Sequence, residues 1–253
     1  MERINELQSF NLSEGNEREM DFLESSFFRS PNRHLPTPAE VKALSGDAST
    51  SSQPRPVTFS DLSRTFQESV PVPEVVGWRI DHENNVFIYM ELIAGQNLLD
   101  CWDELSILDK NTLCDQLYQI IGDLRQLEQE SSDKYIGMSK ANLGCQVQDG
   151  LTGLSLGSHP YREFLPDTGE IKFTHADLHR GNIIVSTTGP ARILAIVEWA
   201  QAGWYPDYWE YCKASYTCWH EDEWGLVWIE KFLFPRVQEV EIFARYTMAM
   251  GAI

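Results

Sequence analysis

Along the chain the apolar positions fall into blocks of different period, and each block predicts an element. After Val70-Pro71-Val72-Pro73 come Val75, Val76 and Trp78, then a polar stretch from Asp81 to Asn85, then Val86-Phe87-Ile88-Tyr89-Met90-Glu91-Leu92. β-branched and aromatic runs on either side of an Asp/Asn turn predict a β-hairpin. Gly95 ends it. From Asp109 to Gln129 the period lengthens: Leu113, Leu117, Ile120, Ile121, Leu124 and Leu127 lie on one face of an amphipathic helix. Ile171 to Thr174, Ile183 to Ser186 and Ile193 to Val197 are short apolar runs between polar loops, read as strands. Everything after Pro206 reads as helical and rich in tryptophan.

Upstream, residues 1–30 read as one or two acidic helices, with Phe22, Leu23, Phe27 and Phe28 as an apolar stripe. Thr37-Pro38-Ala39-Glu40 is a capping box with proline at the first helical position, so a short helix should follow through Leu44. Ser45 to Pro56 is rich in Ser and Pro and reads as a linker or exposed loop. No internal repeat is visible. The pattern predicts an α+β chain of two parts, residues 1–93 with N-terminal helices and a hairpin, and residues 94–253, mostly helical.

At 253 residues, 42% hydrophobic and 11% aromatic, the chain can bury a sizeable core. Its 20 basic against 38 acidic residues leave a formal charge of −18. That field repels phosphate backbones and anionic lipid, so nucleic acid and membrane surfaces are excluded as expected partners, and a cationic small molecule is favoured over an anionic one. The commoner meaning of such a charge is a solubilising surface. Five cysteines, odd in number and without CxxC spacing, argue against a disulfide framework or zinc site. With no signal-like or membrane-spanning run, a cytoplasmic location is the expectation; oligomeric state is not readable.

The chemistry concentrates in Phe173-Thr174-His175-Ala176-Asp177-Leu178-His179-Arg180-Gly181-Asn182-Ile183-Ile184-Val185. It is a strand, a loop with a carboxylate, an amide five residues later, and a second strand. Such a loop can aim Asp177 at a hydroxyl as acid/base while Asn182 helps hold a cation. Alone, the loop reads equally well as turn-shaping Asp and Asn. A buried strand follows, Ile193 to Val197, ending in Glu198-Trp199, and then the aromatic run Gly203-Trp204-Tyr205-Pro206-Asp207-Tyr208-Trp209-Glu210-Tyr211. Together with Met90-Glu91-Leu92-Ile93-Ala94-Gly95, which looks like a hinge between lobes, these motifs resemble the aminoglycoside/choline phosphotransferase-like family of kinase-fold proteins, in its fungal version, over residues 35–253.

The resemblance implies a protein-kinase-like, two-lobed fold with a reduced N-terminal β lobe. It implies Asp177 as catalytic residue with His175 and Glu198 assisting, Asn182 and Glu198 at a metal, Glu91 and Ile93 at the cofactor, and Trp199, Trp204 and Tyr205 lining an acceptor pocket. For His175 the plainer reading is a packing residue, for the tryptophans core, for Glu91 a solvated side chain, and His179 and Arg180 are expected to be exposed. Three departures stand beside it. Ala176 replaces a glycine of the family's His-Gly-Asp. Glu198 replaces the aspartate that is the principal magnesium ligand, shifting the carboxylate by ~1.5 Å. No lysine lies between Lys42 and Lys110 to hold nucleotide phosphates, and no glycine-rich loop covers them. A further shortening is expected between Asp149 and Tyr161. A repurposed small-molecule enzyme of specialised metabolism that needs no ATP is therefore the leading expectation, working in an open, aromatic-floored cavity. An ATP- and magnesium-dependent kinase and a non-catalytic pseudokinase are its rivals.

Overall fold

The computed structural model describes residues 18–44, 69–129, 137–138, 164–166, 169–218 and 222–250. The chain divides into two compact units, Leu7–Ala94 and Gly95–Ile253 together with Met1–Glu6. No helix among the described residues is long and apolar enough to cross a membrane.

The N-terminal unit is built on an antiparallel sheet of β1 (Glu19–Asp21), β2 (Val75–Ile80) and β3 (Val86–Met90), with β2 in the middle. The hairpin turn forms because the Asp81 carboxylate accepts from the backbone of Glu83 at 2.8 Å and of Asn85 at 2.9 Å, and Asn84 takes φ 66°. Residues 19–21 form a strand where a helix is expected. The apolar residues there do not build a helical stripe: Phe22 is buried edge-on against Trp78 at 5.6 Å, while Leu23 is 70% exposed. Arg79 on β2 reaches back to Asp21 at 2.6 Å and to the Met20 carbonyl at 3.1 Å, so pairing with a distant strand overrides the local pattern. Phe27 lies in a single 3₁₀ turn, Ser26–Arg29, edge-on to Phe28.

Helix α1 (Pro38–Leu44) begins on the predicted capping box: Thr37 N donates to Glu40 Oε2 at 2.7 Å, and Glu40 N donates to Thr37 Oγ1 at 3.3 Å. From α1, Lys42 Nζ reaches Asp81 Oδ2 at 2.7 Å and Glu83 Oε2 at 3.0 Å, and this partner holds the Asp81 carboxyl well below the usual carboxylate range. The Ser/Pro-rich linker, the segment 58–68 and the shortening between 149 and 161 lie outside the described residues.

The C-terminal unit opens at Gly95, where an added Cβ would meet Ile184 Cγ2 and the Val185 carbonyl at 2.6 Å, so only glycine lets the chain pass there. Strand β4 (Gln96–Asn97) leads into α2 (Leu98–Cys101) and the long α3 (Ile107–Leu124), capped by Ser106, whose Oγ accepts from Asp109 N at 3.1 Å. Its buried face is Leu113, Leu117, Ile120, Ile121 and Leu124, the predicted stripe; the helix stops at Leu124, short of the predicted Gln129.

Two further antiparallel sheets follow. One has β7 (Ile183–Val185) between β4 and β8 (Ile193–Ile196). The other has β9 (Gly203–Pro206) between β5 (Gly137–Met138) and β6 (Ile171–Thr174). The helices α4 (Trp209–Tyr216), α5 (Ile229–Phe232) and α6 (Val237–Met250) complete the unit, with a π turn at Trp224–Trp228. Around α4, Tyr205, Tyr208, Trp209, Cys212, Phe243 and Tyr246 form a buried core.

Candidate functional site

Strand register brings the chemistry-bearing residues together. In one sheet Thr174 at the end of β6 pairs with Gly203 at the start of β9; in the other, Ile183 at the start of β7 pairs with Ile196 near the end of β8. The loop 175–182 is slung between β6 and β7, and Val197, just past β8, donates its N–H to the Asn182 carbonyl at 2.9 Å. Glu198 therefore leaves the sheet beside the loop that carries Asp177.

Asp177 is partly exposed, with 22% of its side-chain surface accessible. Asn182 is buried and bridges the loop, its Nδ2 donating to the Asp177 carbonyl at 2.8 Å and to Asp177 Oδ2 at 3.2 Å. The amide oxygen of Asn182 is the end left for another partner. His179 Nε2 lies 4.0 Å from Asp177 Oδ2, while its Nδ1 accepts from Gly181 N at 3.0 Å. Asn97 Nδ2 bonds the Gly181 carbonyl and ties the loop to the start of α2.

His175 is fully buried and both its ring nitrogens face the backbone. Nδ1 accepts from Asp177 N at 3.2 Å, and Nε2, 3.0 Å from the Val197 carbonyl, must carry the proton because a carbonyl only accepts. Burial pulls its pKa down to about 4, so the neutral ring is what the fold holds. Its face packs on Trp199 at 4.5 Å. The plainer reading made from the sequence fits this ring: it positions the loop.

Beneath the loop stands a carboxylate that no local motif marks. Glu210, in the first turn of α4 and 2% exposed, accepts from His175 N at 2.7 Å through Oε2 and from Ala176 N at 3.2 Å through Oε1. Burial pushes its pKa up to about 7 against the lowering pull of those two N–H groups. A lone acid between Trp209 and Tyr211 is the one signal in the sequence that could have flagged it. Ala176 itself takes φ 64°, a conformation suited to the glycine it replaces.

Glu198 also sits in the left-handed region, at φ 63° and ψ 52°, with its side chain exposed. Trp199, Trp204 and Tyr205 are each at most 5% exposed. Trp199 donates to the Ile196 carbonyl at 2.8 Å, Trp204 packs edge-on against Phe173 at 5.3 Å, and Tyr205 stacks on Trp209 at 4.9 Å. They stand as core in this unit, where an aromatic floor is expected. Arg180 is not the exposed side chain expected: it pairs with Asp222 and lies 5.8 Å from the ring centres of both Trp102 and Trp224. Glu91 is exposed and Ile93 half-buried, both in the N-terminal unit; the Glu91 N–H donates to the Glu74 carbonyl at 2.8 Å.

Among the described residues no three His, Cys, Asp or Glu side chains converge on a metal position. The donors that could meet a magnesium ion are one carboxylate, Glu198, and the amide oxygen of Asn182, a set that would need phosphate oxygens to complete it. No lysine lies in residues 43–109 to hold those phosphates, and Lys42 is engaged by Asp81 and Glu83.

A family model described as the phosphotransferase enzyme family matches residues 58–233. No curated protein matches by sequence. Among solved structures, the chain is similar to aminoglycoside-3'-phosphotransferase of type VIII, at 13% identity over 75% of this chain and 77% of that one, with a TM-score of 0.52. It is also similar to the GDP complex of a mutant aminoglycoside 2'-phosphotransferase-IIIa, at 17% identity over 75% of this chain and 70% of that one, with a TM-score of 0.51. The α+β, kinase-like fold read from the motifs is the fold of these structures.

Proposed function

The chain belongs to the phosphotransferase enzyme family, and we propose that within it this protein is a small-molecule enzyme that works without ATP, with Asp177 as its acid/base. The observation that carries the proposal is the asymmetry of the site. The Asp177 loop is fully built, gripped by Glu210, His175 and Asn182, while the phosphate-holding lysine has no counterpart in residues 43–109. Phosphoryl transfer draws nearly all its catalysis from positioning and electrostatic stabilisation of the phosphates, so losing that cation removes much of the rate. Acid/base chemistry needs only a fixed carboxylate within reach of a proton.

In this reading Asp177 takes a proton from a hydroxyl or related group, Asn182 fixes the orientation of its carboxylate, and Glu198 assists from the turn beside it. The aromatic run Gly203 to Tyr211 resembles that of fungal members, which favours a role in specialised metabolism and a cytoplasmic setting. The rival reading, a nucleotide-dependent kinase, draws on the Asp177–Asn182 pair and on Glu198 next to it, a donor set that magnesium-bound phosphates would complete.

The deciding measurement is binding and turnover of ATP with magnesium. The proposal expects no saturable binding below millimolar nucleotide and no release of ADP in the presence of extracts containing candidate acceptors. Sub-millimolar, magnesium-dependent binding with ADP release establishes the kinase instead.

A further inference from the structure

The described lysines differ in how their charge is met. Lys42 pairs with Asp81 and Glu83, Lys110 with Glu223 and Lys172 with Glu170, and Lys231 is exposed to water. Lys213 is half-buried, and among the described residues its ammonium has one partner, the neutral Oε1 of Gln201 at 2.9 Å, and no ion pair. An ammonium offers three donors, and taking it out of water without an opposite charge is costly. Burial accordingly pulls its pKa down, opposed by the fields of Asp177 and Glu210.

Its place in the fold follows from the same contacts. Lys213 stands three residues after Glu210 on α4, hence on the helix face that grips the loop at His175 and Ala176. Gln201 ends the turn Trp199–Gln201 that follows Glu198. Lys213 thus links the segment bearing Glu198 to the helix that supports Asp177, and among the described residues it spends one of its three donors.

We propose that Lys213 binds an anionic group, a carboxylate or a phosphate, of the small molecule on which Asp177 acts. This deepens the assignment of Asp177 as acid/base and rests on it. The overall charge of −18 disfavours anions at long range, but at physiological salt charges separated by more than about 8 Å are largely screened, so one half-buried ammonium without an ion pair among the described residues sets the local preference. An oxyanion would give Lys213 the charge partner that the described residues do not supply.

The test is a titration at constant ionic strength, without nucleotide or magnesium, using inorganic phosphate in one series and acetate in the other. Binding is followed by the ¹⁵N signal of the Lys213 ammonium and by the Ala176 amide. At least one probe should saturate and shift both signals, and which one does so names the oxyanion. Lys213→Met should weaken that binding by about tenfold or more, as loss of a charged hydrogen bond requires. Lys213→Arg should restore it to within about threefold, since a guanidinium also pairs with oxyanions. Gln201→Leu should leave it within about threefold, because only the strut is removed. The proposal is overturned if neither probe saturates the wild type, if Lys213→Met binds as well, or if Gln201→Leu loses as much as Lys213→Met, which would make Lys213 only a brace. Should Lys213→Met fail to fold, the ammonium signal in the wild type decides. Because no turnover is read, an Asp177→Asn variant that stayed active would remove the acid/base assignment while leaving this binding intact, so the two failures are distinct.

Discussion

Glu198 is held at φ 63°, a backbone region that costs a residue with a side chain roughly 1–2 kcal/mol. Its side chain is exposed, so no packing offsets that cost. A strained backbone under an unburied carboxylate, one residue past the Val197 N–H that bonds the Asn182 carbonyl, is the pattern in which strain is kept for function. Glu198→Gly should therefore stabilise the fold: relief of the strain exceeds the ~0.4–1 kcal/mol by which glycine loosens the unfolded chain, leaving a gain of about 0.5–1 kcal/mol. Urea unfolding measures that gain, and activity of the same variant should fall. Ala176, at φ 64°, gives no such gain, because its buried methyl group offsets the strain when removed. Asp177→Asn is nearly isosteric and cannot accept a proton. It should abolish turnover while circular dichroism and melting stay close to wild type; a folded, fully active variant would rule out Asp177 as the acid/base.

At the scale of elements, the Asp177 loop is held by two buried titratable groups whose pH effects oppose each other. Glu210 has a pKa of about 7 in the fold against an ordinary 4.5, so the stability tied to its protonated form is complete below about 4.5 and is lost as pH rises through about 7. His175 has a pKa of about 4 against an ordinary 6.5, so the stability tied to its neutral form is complete above about 6.5 and is lost as pH falls through about 4. Between 4.5 and 6.5 the two slopes work against each other. In Glu210→Gln the amide oxygen can take the place of Oε2, which accepts from His175 N at 2.7 Å and lies 3.4 Å from Ala176 N, so both N–H groups keep an acceptor while the titrating acid is removed. The His175 slope then stands alone: stability should climb steadily from pH 4 to 6.5 in urea unfolding, more steeply than in the wild type. An unchanged profile would mean that Glu210 does not titrate with the loop. The elements that carry their own period, the hairpin, α3, β6, β7 and β8, were legible in the sequence, as was the capping box of α1. Residues 19–21 were not, because their strand depends on pairing with β2 and on Arg79, almost 60 residues away. β9 is buried at all four positions and shows no alternation, so it read only as part of an aromatic run. Glu210 and Lys213 escaped for the same reason, since their meaning lies in a loop 34 to 36 residues earlier in the chain.

The whole molecule carries −18 formal charges, and that excess acts on folding and on nucleotide binding in the same direction. Like charges gathered in a folded chain repel one another, and added salt screens them. Melting temperature should therefore rise as sodium chloride is raised from about 10 mM to about 300 mM, the range over which the screening length falls from about 30 Å to below 8 Å. Potassium chloride should have the same effect, since general screening does not distinguish the two cations; a rise confined to one would point to specific ion binding. Magnesium-ATP meets the same negative field without a phosphate lysine to offset it. With a dissociation constant of about 1 mM or weaker, about 1 mM nucleotide stabilises the native state by at most ~0.4 kcal/mol. For a chain of this size that is a melting shift of about 1–2 °C at most. The comparison that isolates the site is magnesium-ATP against magnesium chloride at equal ionic strength. If the two curves coincide, the increment belongs to screening and the ATP-independent reading stands. A shift of several degrees seen only with nucleotide would require a cation that holds phosphates after all, and it would show that one well-placed group can outweigh the field of the whole chain.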